Sequence, residues 1–155
     1  KDRAYSFEQK LNKNTRFLLD KELRELAPDE RSATIPNMLF NAVITRDGRK
    51  MLISTLPVSY LMQPGQDSSI QTPGDPDAID FAALFARQDP MNLRLLTALR
   101  MNATFPYVLP NVWLPTNPTI DVMDAGLRDN YGLETALRFI NVFKSTYKMI
   151  NLSVL

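Results

Sequence analysis

Hydrophobic and polar positions divide the chain into segments of two periods. Phe7, Leu11, Leu18, Leu19, Leu23 and Leu26 recur near helical spacing, with Lys10, Lys13, Arg16, Lys21 and Arg24 on other faces. This predicts one amphipathic helix to about Leu26, with Ser6 and Gln9 as its capping box and Ala27-Pro28-Asp29 as its end. From Asn37 to Thr45 the pattern becomes a short apolar run with β-branched residues. Asp47-Gly48 suits the positive φ of a tight hairpin turn, and Met51–Thr55 reads as the returning strand. Residues 63–77 are polar and hold Pro64, Gly65, Pro73, Gly74 and Pro76, the pattern of a surface loop. A short helix is predicted over Ala78–Ala86. Asp89-Pro90 then reads as the cap and first turn of another helix, with Leu93, Leu96 and Leu99 on its buried face. Pro106, Pro110, Pro115 and Pro118 break the next stretch into extended pieces, with strands expected at Asn111–Leu114 and Thr119–Met123. Helical spacing returns from Leu133 to about Tyr147, and Met149–Leu155 reads as a final strand. Strands alternating with helices favour an α/β fold, and the hairpin makes its sheet mixed.

Composition narrows the chemistry. Of 155 residues, 45% are hydrophobic and 23% charged, the balance of a globular protein. Lys plus Arg number 18 and Asp plus Glu 17, a net charge of +1, so no strong field favours nucleic acid. There is no His and no Cys. Disulfides, thiol nucleophiles, most zinc sites and a Ser-His-Asp triad built from this chain alone are therefore excluded. No carboxylate cluster has convincing ligand spacing, so neither metal nor cofactor is expected. No apolar run approaches the ~20 residues that span a bilayer, and no signal-peptide pattern is present. The expected location is the cytoplasm or a membrane periphery.

Asp124 is the candidate chemical group. It follows the apolar strand ending at Met123 and precedes a small-residue turn, Ala125-Gly126. That places a carboxylate at the C-terminal edge of a strand, where open α/β sheets bind ligands. By position alone, a turn aspartate bonded to local backbone N–H groups is the commoner case.

The combination of motifs adds to this. Ala103, Phe105 and Pro106, then Pro110, lead into a strand that ends in Asp124-Ala125-Gly126-Leu127-Arg128-Asp129-Asn130. This segment resembles the C-terminal half of the patatin-like phospholipases. The likeness is specific between Ala103 and Asn130 and loose over the rest of residues 34–145. It implies a three-layer α/β/α fold and lipid acyl hydrolysis by a Ser-Asp dyad, with Asp124 as the dyad carboxylate. Ala125, Gly126, Asp129, Asn130 and Pro106 are its supporting positions. The substrate implied is a lipid or fatty-acyl ester, with contact at a membrane surface. Two positions depart from the family pattern: Ala125 stands where Gly is usual, and Gly132 where many relatives have Pro.

None of the serines lies in a Gly-x-Ser-x-Gly elbow, and no Gly-rich stretch supplies an oxyanion hole. In the family both precede the matched region. The resemblance therefore implies that residues 1–155 are the C-terminal portion of one domain whose nucleophile segment lies upstream. Such a portion is expected to be inactive alone, and to associate with its missing half or with another copy. The alternatives are an inactive relative that binds lipid or a protein partner, and an independent structural domain. Phe105, Tyr107 and Trp113 read as core rather than as the lining of an acyl pocket. Arg100 and Arg128 read as solvated surface rather than as phosphate ligands. Residues 63–77 read as an ordinary loop rather than a lid.

Overall fold

The computed structural model describes residues 2–64 and 75–152, the backbone alone for 145–152. The α/β expectation holds: five α-helices accompany a five-stranded mixed sheet. The hairpin forms where Asp47-Gly48 predicted it. Strands β1 (Leu39–Ile44) and β2 (Lys50–Ser54) pair antiparallel with Ala42 opposite Met51, and Gly48 takes a φ of 73° in the turn. Strand β3 (Ala78–Asp80) adds parallel to β2. On the other side β5 (Ile120–Asp124) pairs antiparallel with β1, and β4 (Val112–Leu114) with β5. The order across the sheet is β3-β2-β1-β5-β4.

Helices depart from the predicted boundaries for local reasons. The single N-terminal helix is two, α1 (Arg3–Asn14) and α2 (Leu23–Arg31). Arg16 and Phe17 both adopt left-handed backbone, which ends the first. Asp2, not Ser6, caps α1, accepting from the Tyr5 N–H. A reciprocal Glu22–Glu25 capping box starts α2, which continues through Pro28 instead of stopping before it. The buried stripe of α1 is Ala4, Glu8 and Asn12, while Phe17 and Leu18 are exposed. Residues 78–86 divide into β3 and the short helix α3 (Phe81–Leu84), which Asp80 caps through the Ala82 and Ala83 N–H groups. Asp89-Pro90 opens only a 3-10 turn, and α4 (Leu95–Ala103) begins after Arg94. Helix α5 runs from Leu133 to Leu152, so Met149–Leu152 are helical rather than a strand. Residues 65–74, most of the predicted loop, lie outside the described residues.

The pleat separates two faces. Phe40, Ala42 and Ile44 of β1, Met51 and Ile53 of β2, and Val122 of β5 point one way into the main core. Leu23 and Leu26 of α2, Phe81 of α3, and Leu95, Ala98 and Met101 of α4 close over them. The other face carries Asn41, Lys50 and Ser54 and meets α5. Helices on both faces give three layers.

Candidate active site

Asp124 is the last residue of β5 and lies opposite Ala42 of β1. Its backbone N–H donates to the Thr104 carbonyl at 2.8 Å. That bond ties the site strand to the end of α4. The carboxylate is half-buried, and Oδ1 accepts the Gly126 N–H at 2.5 Å. This local bond is the turn chemistry that position alone suggested.

The backbone of this turn explains the residue type at Ala125 and Gly132. Ala125 is not among the positive-φ residues, so alanine fits there without left-handed strain. At Gly126 a Cβ would lie 2.8 Å from Asp124 Oδ1, so any larger residue there would displace the carboxylate from its bond to the Gly126 N–H. Gly132 adopts a φ of 66°, which proline's ring forbids.

Asp124, Ala125, Gly126, Asp129 and Asn130 line one cavity of about 310 Å³ together with Asn41 and Asn102. Five of the six motif positions thus meet at one end of the sheet. Pro106 does not line the cavity and sits half-buried in the turn after α4. Asp129 has a structural task. Its buried carboxylate accepts the Glu134 and Thr135 N–H groups at 2.9 Å each and the Thr135 hydroxyl at 2.5 Å, holding the start of α5. Burial alone would raise its pKa. The Thr135 and Glu134 hydrogen bonds and the Lys50 charge outweigh burial and hold it below the usual value.

A second, apolar cavity of about 650 Å³ adjoins the first. The two share Leu39, Asn41, Tyr131 and Gly132. Met38, Tyr60, Phe139 and Phe143 line it further on, and Tyr60 meets Phe143 edge to face at 5.6 Å. Ser54 is the serine among its lining residues, but the Ser54 hydroxyl donates to the Met38 carbonyl at 2.9 Å and accepts the Leu56 N–H.

Beneath these cavities runs an ionic network that the sequence did not disclose. Lys50 is 1% exposed and lies 3.2 Å from Glu134 and 3.9 Å from Asp129. Arg138 of α5 grips Asp77 with two nitrogens at 2.6 and 2.9 Å and donates to the Leu61 carbonyl. Burial acts to raise the Asp77 pKa, and the Arg138 hydrogen bonds and the surrounding cations overcome it, leaving a net lowering. Asp77 itself is 2% exposed, so this end of the predicted surface loop is interior.

Other expectations change. Phe105, Tyr107 and Trp113 are 56%, 97% and 73% exposed, so they are not core. Arg100 is not solvated surface: it donates to Glu8 at 2.6 Å and ties α1 to α4. Arg128 is exposed, as expected, and its guanidinium also reaches Asp77 at 3.3 Å. Among the described residues no group of His, Cys, Asp and Glu is arranged to hold a metal, and no helix is long and apolar enough to cross a membrane.

The fold and site define a mixed α/β protein with a carboxylate cavity at the C-terminal end of one strand, beside an apolar groove. No family model matches the chain, and no curated protein or solved structure is found to be similar to it.

Proposed function

We propose that this chain supplies the carboxylate half of a lipid acyl hydrolase, with Asp124 as the base of a Ser-Asp dyad. One observation carries the reading. Asp124 lines a polar cavity that shares Leu39, Asn41, Tyr131 and Gly132 with the lining of a neighbouring apolar groove. A polar reacting centre beside an apolar trough is the layout an acyl ester requires.

The serine comes from outside these residues. Ser54 is already hydrogen-bonded to the Met38 carbonyl, and the sequence holds no Gly-x-Ser-x-Gly elbow. Helix α5 supports the same view. Leu133, Leu137 and Ile140 follow one stripe and are 62%, 51% and 57% exposed, an apolar surface suited to a covering segment.

In the reaction, the serine hydroxyl attacks the acyl carbonyl while Asp124 takes its proton. Asp124 returns that proton to the departing alcohol, leaving an acyl-serine. Water then attacks the acyl-serine, gives its proton to Asp124, and the serine oxygen recovers it as the fatty acid leaves. The Thr104 carbonyl holds the Asp124 backbone N–H, and the Gly126 N–H donates to Oδ1 and orients the carboxylate.

The test is hydrolysis of a fatty-acyl nitrophenyl ester and of phospholipid vesicles by the full-length protein, with and without Asp124→Asn. The asparagine variant is expected to lose activity by about 10³-fold or more, since dyad members act as a unit. Undiminished turnover sinks the assignment. A wild-type protein that binds vesicles without hydrolysing either substrate identifies a binding module instead.

A further inference from the structure

Lys50 is a buried charged group that the motifs did not mark and the reaction does not use. It opens β2, a strand buried along its whole length, and is 1% exposed. An apolar side chain would suit such a strand, whereas an ammonium there must replace its lost water with partners. It finds them at the start of α5 and in the turn before it. Glu134 lies at 3.2 Å, the Thr135 hydroxyl at 3.4 Å and Asp129 at 3.9 Å.

From Asp129 the contacts run back to Asp124. The Asp129 N–H donates to the Ala125 carbonyl at 2.8 Å, beside the Arg128 N–H at 2.9 Å. Ala125 follows Asp124 directly, and the next N–H, that of Gly126, donates to Asp124 Oδ1 at 2.5 Å. The turn over residues 125–129 is thus pinned at one end through Asp129, and at the other it aims the Asp124 carboxylate. Lys50 is fixed from behind, because its backbone N–H donates to the Asp77 carbonyl at 3.0 Å. Charge balances across the network: Lys50, Arg128 and Arg138 face Asp77, Asp129 and Glu134.

We infer that Lys50 is a positioning residue for Asp124, acting through Asp129. Its ammonium holds the Asp129 carboxylate in place, and Asp129 holds the turn that orients the base. Without it, three carboxylates share two guanidiniums and the turn loosens. The inference rests on Asp124 as the base, proposed above. It accounts for a charge in a strand where an apolar residue would serve stability: a buried ion often adds little to stability, while its directed contacts fix position.

The test uses two variants of the full-length protein. Lys50→Met removes the charge, and Thr135→Val removes only the hydroxyl between Lys50 and Asp129. Amide hydrogen exchange at Gly126 and Asp129 is expected to quicken about tenfold in Lys50→Met, the worth of one lost hydrogen bond. Exchange in the middle of β1 and β2 stays slow. For a decanoyl nitrophenyl ester, kcat falls about ten- to a hundredfold while KM moves less than about twofold, because the base is misaimed and the binding surface is not altered. Thr135→Val shows the same pattern more weakly, and it decides the question if Lys50→Met does not fold. A merely structural lysine would quicken exchange across β1 and β2 as much as in the turn, and that result overturns the inference. Slow exchange at Gly126 and Asp129 in both variants, or a wild-type kcat with the turn opened, also overturns it while leaving Asp124 as the base. A wild-type protein that hydrolyses no ester overturns both.

Discussion

The two faces of the sheet solve the same burial problem with different proportions of apolar and ionic contact. Towards α2, α3 and α4 the core is mainly apolar, with Met51, Ile53, Ala98, Met101 and Val122 wholly enclosed and Glu30 of α2 a buried carboxylate at its edge. Towards α5 the enclosed groups include Lys50, Asp77, Asp129 and Thr135. The first face is held by area removed from water, which carries no direction. The second adds directed contacts to a smaller apolar cluster of Leu52, Val58, Leu61 and Ala78, and it is the face against which the apolar cavity and Asn41 lie. Apolar packing sets overall stability, and the ionic network sets where α5 and the Asp124–Gly132 turn sit. A site that must present polar groups at fixed positions gains more from the second kind of contact.

Breaking one ion pair is the severest test of that division. Asp77→Ala leaves the buried Arg138 guanidinium with the partly exposed Glu134 carboxylate, 2.6 Å away, and the Leu61 carbonyl as partners, and is expected to cost about 3 kcal/mol, the lower end for breaking a buried pair. Urea unfolding measures it. The double variant Asp77→Leu with Arg138→Met removes both charges and is expected to recover most of the loss. Additive penalties would show that the pair does not act as a unit.

On the other face, Met101→Ala is expected to cost about 2–5 kcal/mol by leaving a cavity under β1 and β5. That penalty should stay nearly constant with pH, because nothing titratable is involved. A penalty that grows on acidification would mean the faces are not separable.

The smallest effect separates the faces by pH alone. Asp77 and Asp129 both titrate below their ordinary value of 3.8 in the folded protein. Their folded pKa values lie under the unfolded ones, so the stability they add is complete above that value. It is lost as pH falls through the folded values. Thermal unfolding of the wild-type protein should therefore weaken between about pH 5 and about pH 2. The Asp77→Leu, Arg138→Met variant should weaken less over the same range. An equal acid response in the two proteins would remove Asp77 as a cause.

Much of the strand layout was legible. The Asp47-Gly48 turn, the paired runs on either side of it and the strand before Asp124 all lie where period and turn chemistry put them. The clustering of Asp124, Ala125, Gly126, Asp129 and Asn130 also followed, because all five lie within one short turn. Helix boundaries were less legible. Left-handed residues at Arg16 and Phe17 split a segment whose leucines kept helical spacing throughout. The aromatic residues misled because Phe105, Tyr107 and Trp113 lie near core strands in sequence but face outwards. Asn41 did leave a signal, a lone amide in an apolar strand. Lys50 left only a charge at a strand start, which reads as solvated.

The sequence by itself determined what local rules decide: the hairpin, the α/β alternation, and a carboxylate on a small-residue turn at a strand end. Period, turn propensity and backbone sterics act over a few residues, so they can be read along the chain. Only the tertiary structure decided which charges are buried and what they face. Lys50 meets Glu134 across 84 positions, and Arg138 meets Asp77 across 61. Such partners are chosen by packing two layers together, and desolvation makes them pair once they are there. The same packing set Asn41, an ordinary polar residue in the sequence, at the junction of the two cavities.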